Sequence, residues 1–226
     1  MSPSGIVDDG IVDDGIVVDG SGLARCAWAT STKDYLTYHD DEWGVPVHGE
    51  TSLFERLTLE AFQSGLSWLT ILRKREGFRA AFAGFDAEVV AGFGEADFER
   101  LMADTAIVRN RLKVRAALTN AQAVVRLRDH GGLDELLWSF APAGHRQPQT
   151  PADVPALTAE STELAKALKR NGFAFVGPTT AYAGMQACGL VNDHLAGCHR
   201  AGKSHRADKS HRADKSHRTD IKGAGQ

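Results

Sequence analysis

No run of apolar residues in this chain approaches the roughly 18 needed to cross a bilayer, and its first residues lack the basic-then-apolar layout of a secretory signal. The expectation is a soluble, cytoplasmic protein with no membrane role. Cysteine is scarce. Cys26, Cys188 and Cys198 are an odd number spread over 226 residues, which argues against a disulfide framework and for a reducing compartment, leaving thiolate chemistry or metal binding open. An excess of charge of one sign is missing too: 26 Lys and Arg stand against 29 Asp and Glu, a net charge of −3. A nucleic-acid function would therefore need a local basic face rather than a basic protein. Between the two ends there is no strand-like alternation of apolar and polar residues, so the periodicity predicts an all-α fold.

The ends are repetitive. Gly5-Ile6-Val7-Asp8-Asp9 recurs with slight variation from Gly10 and from Gly15, and residues 1–22 hold five Asp and no Lys or Arg. Lys203-Ser204-His205-Arg206-Ala207-Asp208 repeats from Lys209 and Lys215. Both repeats are too short for a solenoid unit and too polar to pack, so 1–22 reads as a disordered acidic extension and 201–226 as a disordered basic tail flanking one domain at 23–200. Its predicted helices cover 53–64, 68–83, 87–92, 95–104, 111–130, 133–140, 159–170 and 180–189. Asp86 is an N-cap, and Gly131-Gly132 and Asn171-Gly172 are stops. Four prolines at 142, 148, 151 and 155 mark the one long loop.

Leu59-Glu60-Ala61-Phe62-Gln63-Ser64-Gly65-Leu66-Ser67-Trp68 sets one carboxylate and one amide in an otherwise apolar run. Ser52-Leu53-Phe54-Glu55 reads as a capping box opening a helix whose stripe is Leu53, Leu57 and Ala61, with Glu60 beside that stripe. A buried carboxylate needs donors or a cation. Glu60 either caps a neighbouring helix or faces a ligand, with Trp68 as an aromatic wall or as core filling.

His194 and Cys198 are spaced i, i+4 and would chelate one ion if the backbone turns helically there. Cys26 and His39 form a second pair, and together the four complete a tetrahedral zinc set that would staple the N-terminal segment to the last helix. The same residues also read as small core thiols and hydrogen-bonded imidazoles. Trp28, Tyr35, Tyr38 and Trp43 crowd around His39, Asp40, Asp41 and Glu42. Rings with carboxylates suit a planar cationic ligand or an aromatic core rim.

Arg25-Cys26-Ala27-Trp28, then Tyr38-His39-Asp40-Asp41-Glu42-Trp43-Gly44-Val45-Pro46, then Leu59-Glu60 through Gln63-Ser64-Gly65-Leu66-Ser67-Trp68, then Phe173-Ala174-Phe175-Val176-Gly177 with Met185 to His194 come in that order. This series closely resembles the 3-methyladenine DNA glycosylase I family over about 24–199. The resemblance implies a two-lobed helix-hairpin-helix glycosylase fold, with a structural zinc on Cys26, His39, His194 and Cys198. It implies a monomer acting on alkylated double-stranded DNA, flipping out 3-methyladenine and removing it hydrolytically. It also implies Glu60 as the base-recognition and catalytic carboxylate in a pocket lined by Tyr35, Tyr38 and Trp68. The segment 106–113, with Arg109, Arg111 and Lys113, looks like the region that grips the DNA backbone. A non-catalytic binder of alkylated DNA and a zinc-stapled protein-interaction domain are the alternatives, and an intact Glu60 and Trp68 argue against both.

Overall fold

The computed structural model of the chain describes residues 11–12 and 15–202. Nine α-helices carry the described residues: α1 (Lys33–Asp41), α2 (Glu50–Gln63), α3 (Trp68–Ala81), α4 (Ala87–Ala91), α5 (Glu95–Ala103), α6 (Arg111–Leu127), α7 (Gly132–Trp138), α8 (Ala159–Arg170) and α9 (Pro178–Ala187). Helix α1 is absent from the sequence-based expectation; Thr32 starts it by accepting from the Tyr35 amide at 3.2 Å.

Helix α2 is the axis of the fold. Every residue from Leu57 to Phe62 is buried, so it is covered on all sides, by α3, α6, α7 and α9. It starts at Glu50 with Gly49 as its N-cap, three residues before the expected Leu53, so Ser52 lies inside the helix and the capping box is not formed; Glu55 instead ion-pairs with Arg79 at 2.8 Å. Its last carbonyls are capped from another helix: the Lys113 ammonium donates to Phe62 O at 2.8 Å and to Ser64 O. The chain then reverses at Gly65, whose φ of 79° lies in the left-handed region. Phe62, Phe78, Phe82 and Phe85 continue the core as a run of ring contacts.

Two expectations fail at the N-terminal end. A small antiparallel sheet is present, of order β1 (Ile11–Val12), β2 (Ile16–Val18) and β3 (Ala24–Cys26), with Ile16 opposite Cys26 and Val17 opposite Arg25. Part of the acidic repeat is therefore ordered rather than disordered. Long-range and local contacts both hold it: Ile16 packs into a small cluster with Cys26, Leu195 and Cys198, while Asp19 ion-pairs with Arg25 and closes the β2–β3 turn by accepting from the Ser21 and Leu23 amides. The expectations for 1–10 and for the basic repeats at 203–226, with His205, His211 and His217, lie outside the described residues. No helix among the described residues is long and apolar enough to cross a membrane.

Candidate active site and metal centre

Four elements surround a cavity of about 300 Å³. Helix α2 contributes Glu60 and Gln63, α1 contributes Tyr35 and Tyr38, α9 contributes Ala183 and Gln186, and the first residue of α3 is Trp68. Trp28 and Trp43, flanking α1, complete the wall. The sequence-predicted set of Tyr35, Tyr38, Glu60 and Trp68 is thus brought into one cavity, with Trp28, Trp43, Gln63 and Gln186 added. Local chemistry fixes these positions. Ser67 N-caps α3, and the Tyr35 hydroxyl accepts from the Leu69 amide at 3.0 Å, which ties α1 to the start of α3 and places Trp68. The Tyr38 and Trp68 rings meet with centroids 5.2 Å apart, tilted by 48°.

Glu60 is 7% exposed, and no hydrogen bond from another described residue reaches its carboxyl group. Burial pushes it up to about 8, against the opposing charge of Arg56 one helical turn away. Arg56 is itself engaged at 2.9 Å by Glu42, which also binds Arg75 at 2.6 Å. Tyr38, fully buried beside Glu60, is held well above the ordinary phenol range by burial. The Trp68 indole N–H is buried without a partner. An aromatic cavity holding an unsatisfied carboxyl and an unsatisfied donor is built to receive a flat, polar guest.

A second group stands next to it. Cys26 ends β3, His39 lies on α1, and His194 and Cys198 flank the turn after α9; their ligand atoms all lie within 4.8 Å of one another, and all four residues are buried. His39 Nε2 is 3.1 Å from His194 Nδ1 and 3.4 Å from Cys198 Sγ, and His194 Nδ1 is 3.6 Å from Cys198 Sγ. A tetrahedral ion with bonds of roughly 2.0–2.3 Å has ligand–ligand edges of roughly 3.3–3.8 Å, so the group could hold a metal. The remaining ring nitrogens have partners: His39 Nδ1 contacts Asp40 Oδ1 at 2.7 Å, and His194 Nε2 contacts Trp43 O at 2.9 Å. The shared hydrogen bond between the thiols pushes Cys26 up and Cys198 toward the thiolate. One detail differs from expectation. Residues 194–198 form a turn, not a helix, so the group links β3 and α1 to the segment beyond α9. Cys188 packs in the core, and His199 contacts Ala24 O instead of joining the group.

The predicted DNA-backbone residues divide. Arg109 and Arg111 are exposed, Arg111 lying over the Phe98 ring. Lys113 is 6% exposed and turned inward onto α2, so it is not free to meet a phosphate. Residues 104–110 are a link between α5 and α6, whereas the consecutive helices that pack most tightly are α8 and α9. Its connecting turn is pinned by the buried Asn120, which accepts from Ala174 N at 2.7 Å and donates to Ala174 O at 3.1 Å. Asn120 has a sequence signal: it shares the buried α6 stripe with Lys113, Ala117 and Val124, at helical spacing.

Comparison with known proteins points the same way. A family model for methyladenine glycosylases matches residues 28–201. A protein of Escherichia coli (strain K12) named DNA-3-methyladenine glycosylase 1 is 46% identical over 182 residues, covering 78% of this chain and 96% of the relative. A crystal structure of 3-methyladenine DNA glycosylase I superposes with a TM-score of 0.75 at 45% identity, covering 77% of this chain and 98% of the other. A tyrosine-to-phenylalanine variant of 3-methyladenine DNA glycosylase I, solved in complex with 3-methyladenine, superposes at 0.73 with 37% identity, covering 77% and 95%. From the span of the family match and the identity to a relative that it covers almost completely, this chain belongs to the methyladenine glycosylase family.

Proposed function

We propose that the chain removes 3-methyladenine from alkylated double-stranded DNA by hydrolysing its N-glycosidic bond. The observation that carries this reading is the buried, unsatisfied Glu60 carboxyl inside a cavity walled by Tyr38 and Trp68, in a member of a family whose relatives are named for this activity. Methylation at the 3 position makes the nucleobase cationic, so the glycosidic bond is already weakened and little acid catalysis is needed. A cationic guest supplies the partner that Glu60 lacks and draws it into the ionised form. A normal, neutral adenine brings no charge to draw the proton off Glu60, so that electrostatic gain is lost. Cleavage passes through an oxocarbenium-like state: the C–N bond breaks, the base departs with the bonding pair as a neutral species, water bonds to the anomeric carbon, and one proton of that water is released. Glu60 serves as base-recognition and catalytic carboxylate, while Tyr35, Tyr38 and Trp68 hold the ring.

The metal we assign to the Cys26, His39, His194 and Cys198 group is zinc, in a structural role, because two thiols and two imidazoles at these separations fit a closed tetrahedral site with no open position for a substrate. When bound it cross-links the strand and helix bearing the pocket aromatics to the segment after α9. For DNA contact, Arg109 and Arg111 stand. The start of α9 replaces Lys113: the backbone N–H groups of Thr179 and Thr180 lie about 4.5–6 Å along the helix from Ala183 in the cavity wall, at a helix N-terminus that suits a phosphate beside a flipped nucleotide. The α8–turn–α9 pair is then the hairpin of a two-lobed helix-hairpin-helix arrangement. The protein acts as a cytoplasmic monomer.

Incubating the purified protein with methylated DNA and separating released bases by chromatography tests this. Release of 3-methyladenine is expected. Retention of all bases on the DNA by a folded protein that still binds it would leave only the non-catalytic binder.

A further inference from the structure

Gln186 lies in the cavity wall, yet its side chain also reaches away from the cavity, to a second carboxylate behind it. Its Nε2 donates to Asp193 Oδ2 at 2.7 Å, and the Tyr182 hydroxyl donates to the same oxygen at 2.6 Å. Asp193 is 2% exposed, and His145 Nε2 stands 3.0 Å from its other oxygen. Two donors converging on one oxygen of this buried side chain fix the rotamers that touch it.

An amide can be turned either way, and which end faces a partner is decided by that partner's chemistry. Here Oδ2 of Asp193 already accepts from the Tyr182 hydroxyl, so the nitrogen of Gln186 faces it and Oε1 is the end left over. Gln63, also in the cavity wall, is held in the same sense, because its Nε2 donates to Leu66 O at 2.8 Å and a carbonyl only accepts. Two ambivalent side chains in the cavity wall are thereby left with their oxygens as the free ends.

We propose that Gln186 is a specificity residue of the base cavity, clamped by Asp193 so that its oxygen accepts from the exocyclic amino group of the bound purine, and that Asp193 is a positioning residue acting through it. This rests on the reading of the cavity as a methylated-purine site. Its consequence is a preference for an amino-bearing purine that does not come from Glu60 alone. A purine carrying an oxo group at that edge would set its lone pairs against fixed acceptors.

Calorimetric titration of the full chain with free 3-methyladenine and with 3-methylpurine, which lacks only the amino group, tests it. Gln186→Met keeps the length of the side chain and removes the acceptor. Affinity for 3-methyladenine should fall about 3- to 10-fold, the range of one neutral hydrogen bond, with 3-methylpurine unaffected. Asp193→Asn should narrow the same ratio, because an amide beside Gln186 permits the reversed orientation. Zinc content and melting temperature are followed alongside, since Asp193 precedes His194. A Gln186→Met protein that loses affinity for both ligands equally, or for neither, overturns the proposal. An Asp193→Asn protein that melts earlier but keeps the wild-type ratio reduces Asp193 to a structural group and overturns the clamp. If Asp193→Asn does not fold, Gln186→Met decides. A wild-type protein that binds neither ligand would instead sink the reading of the cavity itself.

Discussion

His39 Nε2 and His194 Nδ1 face each other at 3.1 Å although the other nitrogen of each ring already acts as donor. Asp40 and the Trp43 carbonyl can only accept, so the protons sit on His39 Nδ1 and His194 Nε2, and two bare lone pairs are left pointing at one another. That arrangement is repulsive without a cation between them. The first expected outcome is therefore one zinc per chain by elemental analysis. Cys198→Ser should lose it and lower stability by about 4 kcal/mol or more, which for a domain of this size is roughly 8–16 °C in melting temperature. A metal-free preparation that melts like the wild type would remove the assignment.

The ordered part of the acidic repeat carries the second prediction. A chain begun at Ile11 keeps β2, while one begun at Leu23 loses the buried Ile16 and Val17 and leaves Arg25 without Asp19. Burying one Ile or Val is worth about 1.5–3 kcal/mol, so the shorter chain should lose about 3 kcal/mol and some of its grip on the metal, because Arg25 also holds Asp40, the partner of His39. Equal urea midpoints for the two truncations would show that the strand contributes nothing.

Lys113 separates structure from DNA binding. Lys113→Met leaves the Phe62 and Ser64 carbonyls without their donor and should destabilise the fold by about 1.5–3 kcal/mol, with no change in the salt dependence of DNA affinity. Arg109→Ala and Arg111→Ala should do the reverse, each lowering the slope of log K against log salt by about one if that residue meets a phosphate. A shallower slope in the Lys113 variant would return it to the DNA surface.

How far the sequence alone reaches is visible in these same residues. Glu60 and Trp68 were legible as neighbours in one cavity because a carboxylate inside an apolar run is costly to bury and so stands out, and the convergence of Cys26, His39, His194 and Cys198 because Cys and His are rare enough to pair. The boundaries of α8 are met to the residue, since Thr158 caps it and Asn171-Gly172 stops it. Helix α1 was not legible: its inward residues are the aromatics of a cavity wall and the histidine of the Cys/His group, so no aliphatic stripe marks its period. Strand β2 was hidden by the low complexity of its repeat, whose pairing depends on partners some 180 residues away, Leu195 and Cys198. Lys113 was misread because cations close in sequence look like a surface, although its helical spacing from Ala117 and Asn120 puts it on the buried stripe.

The last prediction concerns Glu60 and turns on sign. Its folded value of about 8 lies above its ordinary 4.5, so the folded chain holds a proton that the unfolded chain has already released between those limits. Stability linked to Glu60 is therefore fully present below pH 4.5 and is lost as pH rises toward 8, by an amount on the order of a few kcal/mol. Glu60→Gln removes the titration. The variant should melt no lower than the wild type at pH 8, and the fall in stability between pH 5 and pH 8 should flatten. Base binding should move the other way. A carboxylate accepting charged hydrogen bonds is worth about 1.5–3 kcal/mol, so affinity for free 3-methyladenine should drop by roughly one to two orders of magnitude, while binding to undamaged duplex hardly changes. If Glu60 were only a core residue capping a neighbouring helix, the substitution would lower the melting temperature and spare the base. Chemical-shift titration of both proteins with the free base separates the two cases, and unchanged affinity in a well-folded Glu60→Gln protein would take the carboxylate out of the site.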